Sequence, residues 1–374
     1  MNKNNLKELA KLFTKLGFIS FGGPAVHTAM MYNEVVVKRK WLEEQHFLDL
    51  VGATNLIPGP NSTELAIHIG YEKGGWKGLI IAGICFILPA VIITTIFAWF
   101  YKNYGQLPQI QPFIYGIKPA LIAIILVAIY PLFKKSFKTL ELGLIGIMAL
   151  LLSLLKFNEI YIMFGAGLFA ILLDVIKNNK SNSNIILPLL LFQFPKFTFL
   201  TSLNLNLFLI FLKIGAILYG SGYVLFAFLD NELVARGLIS RNQLIDAVAV
   251  GQFTPGPIFS SVTFIGYQIS GLMGAIVSTL GIFLPSFIFV ALLNPIVKKL
   301  KNSKLFSAFL DAVNITSVAI IIAICFQLGQ DSITDWRTIV IAIMSLIILF
   351  KFKKFNNIYI VLGSSILGYI LLLI

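Results

Sequence analysis

The chain is 374 residues long, with 58% hydrophobic residues and only 12% charged, about half the charge fraction of a soluble domain. That composition excludes a water-soluble globular protein and describes a polytopic membrane protein. The formal charge of +13 does not indicate nucleic acid: the basic residues sit in short loops between apolar runs, where positive-inside topology and anionic lipid headgroups account for them.

The N-terminal stretch MNKNNLKELAKLFTKLGF spreads lysines through an amphipathic start without a small-residue cleavage site, and reads as mature sequence. A first interruption follows Phe21 at Gly22, Gly23 and Pro24, with His27 just beyond. Glu34 opens a basic segment, Lys38-Arg39-Lys40; salt bridging is its simplest role and gating the sharper one. Trp41 fits an interfacial anchor, and Asp49 suits a helix N-terminus. Asn55 stands three residues before Pro58-Gly59-Pro60, a triplet that a helix interior tolerates badly. Pro60 fits the first turn of a restarted helix, with Asn61 or Ser62 as its cap. Glu64 and His68 lie four apart and share a helical face. At membrane depth they are a proton-coupling candidate; at a helix end they are a wetted polar pair. Apolar runs occupy 78–100, 114–133, 140–155 and 160–176. Lys118 precedes Pro119 and either attracts an anion or snorkels. The polar run 177–184 has linker composition, and the stretch with Pro188 and Pro195 is an extra membrane segment or an interfacial connector.

The second half repeats the first. Lys15 and Gly17 match Lys213 and Gly215; Gly22 matches Gly220; Glu34 matches Glu232; Asn55 matches Gln252; the triplet matches Pro255-Gly256-Pro257. Further on, Gly70-Tyr71 matches Gly266-Tyr267, Gly75 matches Gly271 and Pro89 matches Pro285. Shared glycines and prolines fix backbone geometry, so the match reflects duplicated structure. Loop charges favour an inverted second half, because alternate sets of loops are the more basic ones in the two halves.

One glycine-rich or Pro-Gly-Pro interruption is most simply a packing feature. Two matched pairs instead point to a transporter's binding site, since broken backbone at membrane depth occurs where it lines a cavity. A helix restarting after such a break presents free N–H groups and partial positive charge. Ser221 and Gly222 beside Gly220, and Thr254, Ser260 and Ser261 around the second triplet, add hydroxyls and close backbone approach. Together this describes an anion cradle built from dipoles. No Walker loop, HExxH, GxSxG or CxxC is present, and Cys85 and Cys325 read as small buried residues. No catalytic group, cofactor or metal is expected.

At these residues the chain closely resembles the chromate ion transporter family. The first half carries Phe21-Gly22-Gly23-Pro24, Glu34, Trp41-Leu42 and Pro58-Gly59-Pro60. The second carries Gln252, Thr254-Pro255-Gly256-Pro257, Gly266-Tyr267 and IFLPSF at 282–287. Departures are Ser221 for a glycine, Glu64 for an expected glutamine, and Leu238-Ile239 for a tryptophan; they leave the exact ligand open. The resemblance implies a secondary carrier moving chromate out of the cytoplasm, in exchange with protons or another oxyanion such as sulfate. The expected fold is an all-α polytopic membrane protein of two homologous, inverted repeats with broken helices at the membrane midplane and about ten to twelve membrane segments. The first repeat is expected at 1–176, a connector at 177–204 and the second repeat at 205–374. The expected partners are a small inorganic oxyanion and membrane lipids, without nucleic acid, in the cytoplasmic (inner) membrane; a homodimer is left open. An anion channel, or an intramembrane lipid-phosphate handler using Glu64 and His68, is the alternative.

Overall fold

The computed structural model describes residues 3–177, 202–293, 303–352 and 356–373. Most of the expected connector, with Pro188 and Pro195, lies outside the described residues, as do Lys298, Lys299, Lys301, Lys353 and Lys354. Among the described residues the protein is helical and no strand occurs.

The first repeat contains α1 (Lys3–Ile19), α2 (Pro24–Tyr32), α3 (Glu44–Thr54), α4 (Asn61–Tyr104), α5 (Gln111–Ser136), α6 (Leu140–Leu154) and α7 (Glu159–Lys177). The second contains α8 (Leu203–Ile217), α9 (Val224–Leu229), α10 (Arg241–Phe253), α11 (Ser261–Leu293), α12 (Lys304–Ser332), α13 (Trp336–Lys351) and α14 (Asn357–Leu373). A π-helical turn follows α2 (Asn33–Lys38) and another follows α9 (Asp230–Val234). Helix starts are written locally: Thr139, Ser240, Ser303 and Asp335 each accept a hydrogen bond from a backbone N–H of the turn they cap.

α4 and α11 are hairpins. In α4 the backbone leaves helical geometry at Gly74 and Gly75, and in α11 at Ser270 and Gly271, with nearly the same dihedral angles. A Cβ added to Gly70 would strike the carbonyl oxygen of Gly78, and one on Gly266 that of Gly274. In a straight helix those residues are about 12 Å apart, so the chain must reverse at each turn. The matched Gly70/Gly266 and Gly75/Gly271 of the sequence repeat are thereby explained: one pair permits the close approach, the other supplies the positive φ.

Each hairpin has a short arm (61–73, 261–269) and a long arm (76–104, 272–293). The long arms carry a matched outward stripe. Ile80, Ile84, Leu88, Ile92 and Ile96 are exposed every fourth residue, as are Ile276, Leu280, Leu284, Ile288 and Leu292. Such a stripe spans about 24 Å, close to the hydrocarbon thickness, and is a lipid-facing surface. The short arms have no such face: 62–70 and 261–266 are buried throughout. An arm of about 20 Å reaches only to mid-depth. The 74–75 turn, flanked by Glu72, Lys73, Trp76 and Lys77, suits the aqueous rim, so the Pro-Gly-Pro corner at the other end lies deep.

Among the described residues, five units are long and apolar enough to cross a membrane: Asn61–Tyr104, Gln111–Ser136, Glu159–Lys177, Ile258–Leu292 and Lys304–Ser332. Leu140–Leu154, Leu203–Ile217 and Asn357–Leu373 are shorter apolar helices.

α1 crosses the long arm of α4 where Gly17 meets Phe86 and Pro89, and α8 crosses α11 where Gly215 meets Ile282. The two hairpins pack on each other, with Gly83 against Phe287. The remaining helices exchange partners. α5 of the first repeat packs on α13 and α14 of the second, whereas α12 of the second packs on α6 and α7 of the first. Neither repeat closes its own core.

Candidate functional site

The two halves are stitched together at their breaks. Gly59 N–H donates to Leu218 O at 2.8 Å, and Gly256 N–H donates to Ser20 O at 2.8 Å. Ser20 and Leu218 are equivalent positions just before the glycine-rich interruptions, so each Pro-Gly-Pro corner docks on the opposite half's break. This narrows the expectation of free amide hydrogens at a pocket to the helices that restart after the triplets. Prolines have no N–H, and the glycine N–H of each triplet, being buried, is paired.

Ser20 O also receives His27 Nε2–H at 3.1 Å, while His27 Nδ1 accepts from Ser62 Oγ at 3.1 Å. The capping expectation is also corrected. Pro60 itself is the cap residue, in extended geometry, and no side chain caps α4. Ser62 is held by His27, and Asn61 Nδ2 donates to Asn55 Oδ1 at 2.7 Å. In the second half Thr254 Oγ donates back to Val250 O. Gln252 Oε1 accepts from Tyr223 at 3.5 Å, and its Nε2 has no partner among the described residues.

The two glycine-rich interruptions meet at one side chain. Ile258, directly after Pro257, lies against both interruptions: a Cβ on Gly23 would sit 3.9 Å from its Cδ1, and one on Gly222 3.6 Å from its Cβ. Gly22 and Pro24 lie on the exposed side of the first break, where Pro24 starts α2. Pro255 borders a largely apolar recess with Phe21 and Phe253.

A cavity of about 270 Å³ with both polar and apolar lining opens beside the second break. Asn55, Gly220 and Ser221 line it. Lys135, Lys138, Asp311, Asn314 and Ser317 complete its polar wall. Lys138 pairs with Asp311 at 2.6 Å, while Lys135 has no ion-pair partner among the described residues and stands exposed at the mouth. Two cations against one carboxylate leave the wall net positive, with amides and hydroxyls as donors. At about 30 Å³ per water, it has room for a small oxyanion with several waters.

Lys135 was legible only as one of the topogenic loop charges, and Asn314, which stands where the first half has Lys118, carried no reading of its own. The signal missed was the polar pair Asn314 and Ser317, three apart in the apolar run after Phe306, on the face that α12 turns toward the second break. At the position matching Asn314, Lys118 instead reaches across to the second half: it pairs with Asp246 at 3.7 Å and donates to Asn242, and Tyr101 donates to Asp246 at 2.5 Å.

Glu64 and His68 are fully buried on the short arm of α4, which removes the reading of a wetted helix end. Ser286 Oγ donates to Glu64 Oε1 at 3.3 Å. Glu64 Oε2, both His68 ring nitrogens, Thr63 Oγ, Ser260 Oγ and Ser261 Oγ have no hydrogen-bond partner among the described residues.

Glu34 and Glu232 sit apart from this cluster in the two π-helical turns. Glu34 meets Lys15 at 3.0 Å, Lys38 at 3.1 Å and Arg39 at 3.4 Å; Glu232 meets Lys213 at 2.6 Å and Arg236 at 2.5 Å. The duplicated Lys15/Lys213 and Glu34/Glu232 of the repeat are thus one ion pair built twice, and salt bridging is what the geometry displays.

The description "Chromate transporter" belongs to the family model that matches this chain, twice, over residues 7–171 and 205–369. A probable chromate transport protein of Synechococcus elongatus is 31% identical over 98% of this chain and 95% of its own length. A chromate transport protein of Cupriavidus metallidurans is 30% identical over 97% of this chain and 92% of its own length. An uncharacterized transporter of Methanocaldococcus jannaschii is 29% identical over 96% of this chain and 93% of its own. No solved structure matches at a significant level. The two matched regions fall on the two structural repeats, and with them the chain belongs to the chromate transporter family.

Proposed function

We propose that this protein is a secondary carrier that moves chromate, or a similar tetrahedral dianion such as sulfate, across the cytoplasmic membrane, in exchange with protons or another anion. The observation that supports it most is the net-positive cavity against Gly220 and Ser221. It joins an interrupted helix at membrane depth to an unpaired lysine and several neutral donors, the requirements of a cradle that binds a dianion and releases it. Relatives from two bacteria bear chromate transport names over nearly the full chain. Chromate and sulfate share shape and charge, so this cavity has little means to separate them.

The two halves supply the alternating elements. Gly22 and Gly220 are both exposed, but α2 beyond the first break is open along one side, whereas α9 beyond the second is buried throughout. In this reading the halves exchange these environments during transport, and the second repeat is inverted relative to the first.

The test is uptake of radiolabelled chromate and sulfate into proteoliposomes holding the full chain, with and without an imposed pH gradient. Saturable uptake, trans-stimulated by unlabelled anion or driven by the gradient, is expected. Current without saturation or counter-ion coupling would identify a channel, and absence of flux with either anion overturns the proposal.

A further inference from the structure

We infer that the short arm of α4 carries a one-sided proton relay, Glu64–His68–Glu72, which ends at His46 on the aqueous rim. This rests on the carrier reading above and assigns its proton path to residues of the first repeat alone.

The three relay positions are spaced i, i+4 and i+8, so they stack on one helix face over about 12 Å. Burial falls along the file: Glu64 and His68 are sealed from solvent, the Glu72 side chain is 32% exposed, and His46, 3.5 Å from Glu72, is 45% exposed. The inner end touches the crossing itself. A Cβ added to Gly59 would strike Glu64 Oε1, and Gly59 is bonded to the second break. A change in the state of Glu64 is therefore felt where the halves interlock.

Glu64 Oε2 and both His68 ring nitrogens have no hydrogen-bond partner among the described residues. Buried polar groups are normally paired, and side chains one helical turn apart leave room for one bridging water. The surroundings add no charge. From α11 Ser286 reaches Glu64; from the second break Tyr219 lies within electrostatic reach of it; from α2 His27 reaches Ser62. α1 packs the apolar Leu9, Leu12, Phe13 and Leu16 against Leu65, Ala66 and Ile69 of the short arm. A carboxylate in such a place is costly without a cation, so charge enters and leaves it as a proton. Each hop moves one proton: His68 takes it from the rim and returns to neutral imidazole as Glu64 becomes the carboxylic acid.

The second repeat has no counterpart. Phe264 and Gln268 stand at the positions matching His68 and Glu72, and Gln268 donates to Ala98 O. The relay therefore reaches only the rim at the 74–75 turn.

The experiment uses the full chain in proteoliposomes loaded with pyranine, driven by a sulfate gradient, with labelled sulfate counted in parallel. In the wild type, proton movement is expected to accompany sulfate. Glu64→Gln and His68→Gln are expected to lower the ratio of protons to sulfate at least about tenfold, and Glu72→Gln to lower it by less, because water replaces it at the rim. Sulfate movement with no accompanying protons in the wild type overturns the relay, as does a wild-type ratio in both Glu64→Gln and His68→Gln. If neither sulfate nor chromate moves in the wild type, the carrier reading falls and the relay with it. A thermal melt of each purified variant keeps misfolding separate from uncoupling.

Discussion

Gly59 and Gly256 occupy equivalent corners with unequal surroundings. Both have positive φ, +129° and +88°, which costs a side-chain-bearing residue about 1–3 kcal/mol. At Gly256 a new methyl group would come within 3.0 Å of Ala90 Cβ; at Gly59 it would displace the Glu64 carboxyl and stand 2.7 Å from Ser286 Oγ. Gly59→Ala is therefore expected to abolish anion uptake, and Gly256→Ala to leave a measurable fraction; tracer flux in proteoliposomes separates them. Lys135 offers a gentler probe. Lys135→Gln removes the unpaired cation of the cavity mouth and is expected to raise KM for sulfate about tenfold with little change in thermal stability. The matched ion pairs differ too. Lys213 and Glu232 are both largely buried, while Lys15 and Lys38 at Glu34 are about half exposed. Glu232→Gln is expected to destabilise by about 3 kcal/mol and Glu34→Gln by about 1 kcal/mol, read as unequal melting shifts in detergent.

At the scale of elements, the hairpin turns make a cleaner comparison. Gly75 and Gly271 have φ of +56° and +61°, and a Cβ on either meets nothing within 4 Å. Alanine at either position pays only for backbone strain, about 1–3 kcal/mol. The two substitutions should lower the melting temperature equally and add when combined, since the turns are independent. A Leu at Gly70 or Gly266 is different in kind: it drives the two arms apart, and neither variant is expected to fold. The helix caps and the lipid stripes each depend on residues within a turn or two, so they are local properties of the sequence. The reversal itself is not, since a glycine in an apolar run does not say whether the helix bends or doubles back.

For the whole molecule, the exchange of α5 and α12 between halves makes the repeats mutually dependent. Chains ending at Lys177 and beginning at Ser202, co-expressed, are expected to co-purify, and either alone to be recovered poorly; affinity capture through a tag on one chain checks this. The asymmetry of the helices that follow the breaks belongs to this scale as well. The segments that begin as equivalents, α2 and α9, end with one exposed and the other enclosed, because α12 packs over α9. A duplicated sequence alone predicts two equal halves, and a single resting conformation of a carrier must break that equality.

The sequence by itself determined the membrane setting, the two repeats and the positions where helices stop. Composition, proline and glycine act through solvent and local backbone, and need no knowledge of neighbours. It also marked Asn55, Gly220, Ser221 and the Glu64–His68 pair as chemically unusual for their surroundings. Only the tertiary structure decided what those residues meet. Whether the Gly59 and Gly256 amides face a cavity or the opposite break, whether Lys135 is a topogenic charge or part of a wall, and which glutamates are ion-paired all depend on contacts between residues far apart in the chain. No local rule carries that information, because the packing of one repeat is completed by the other.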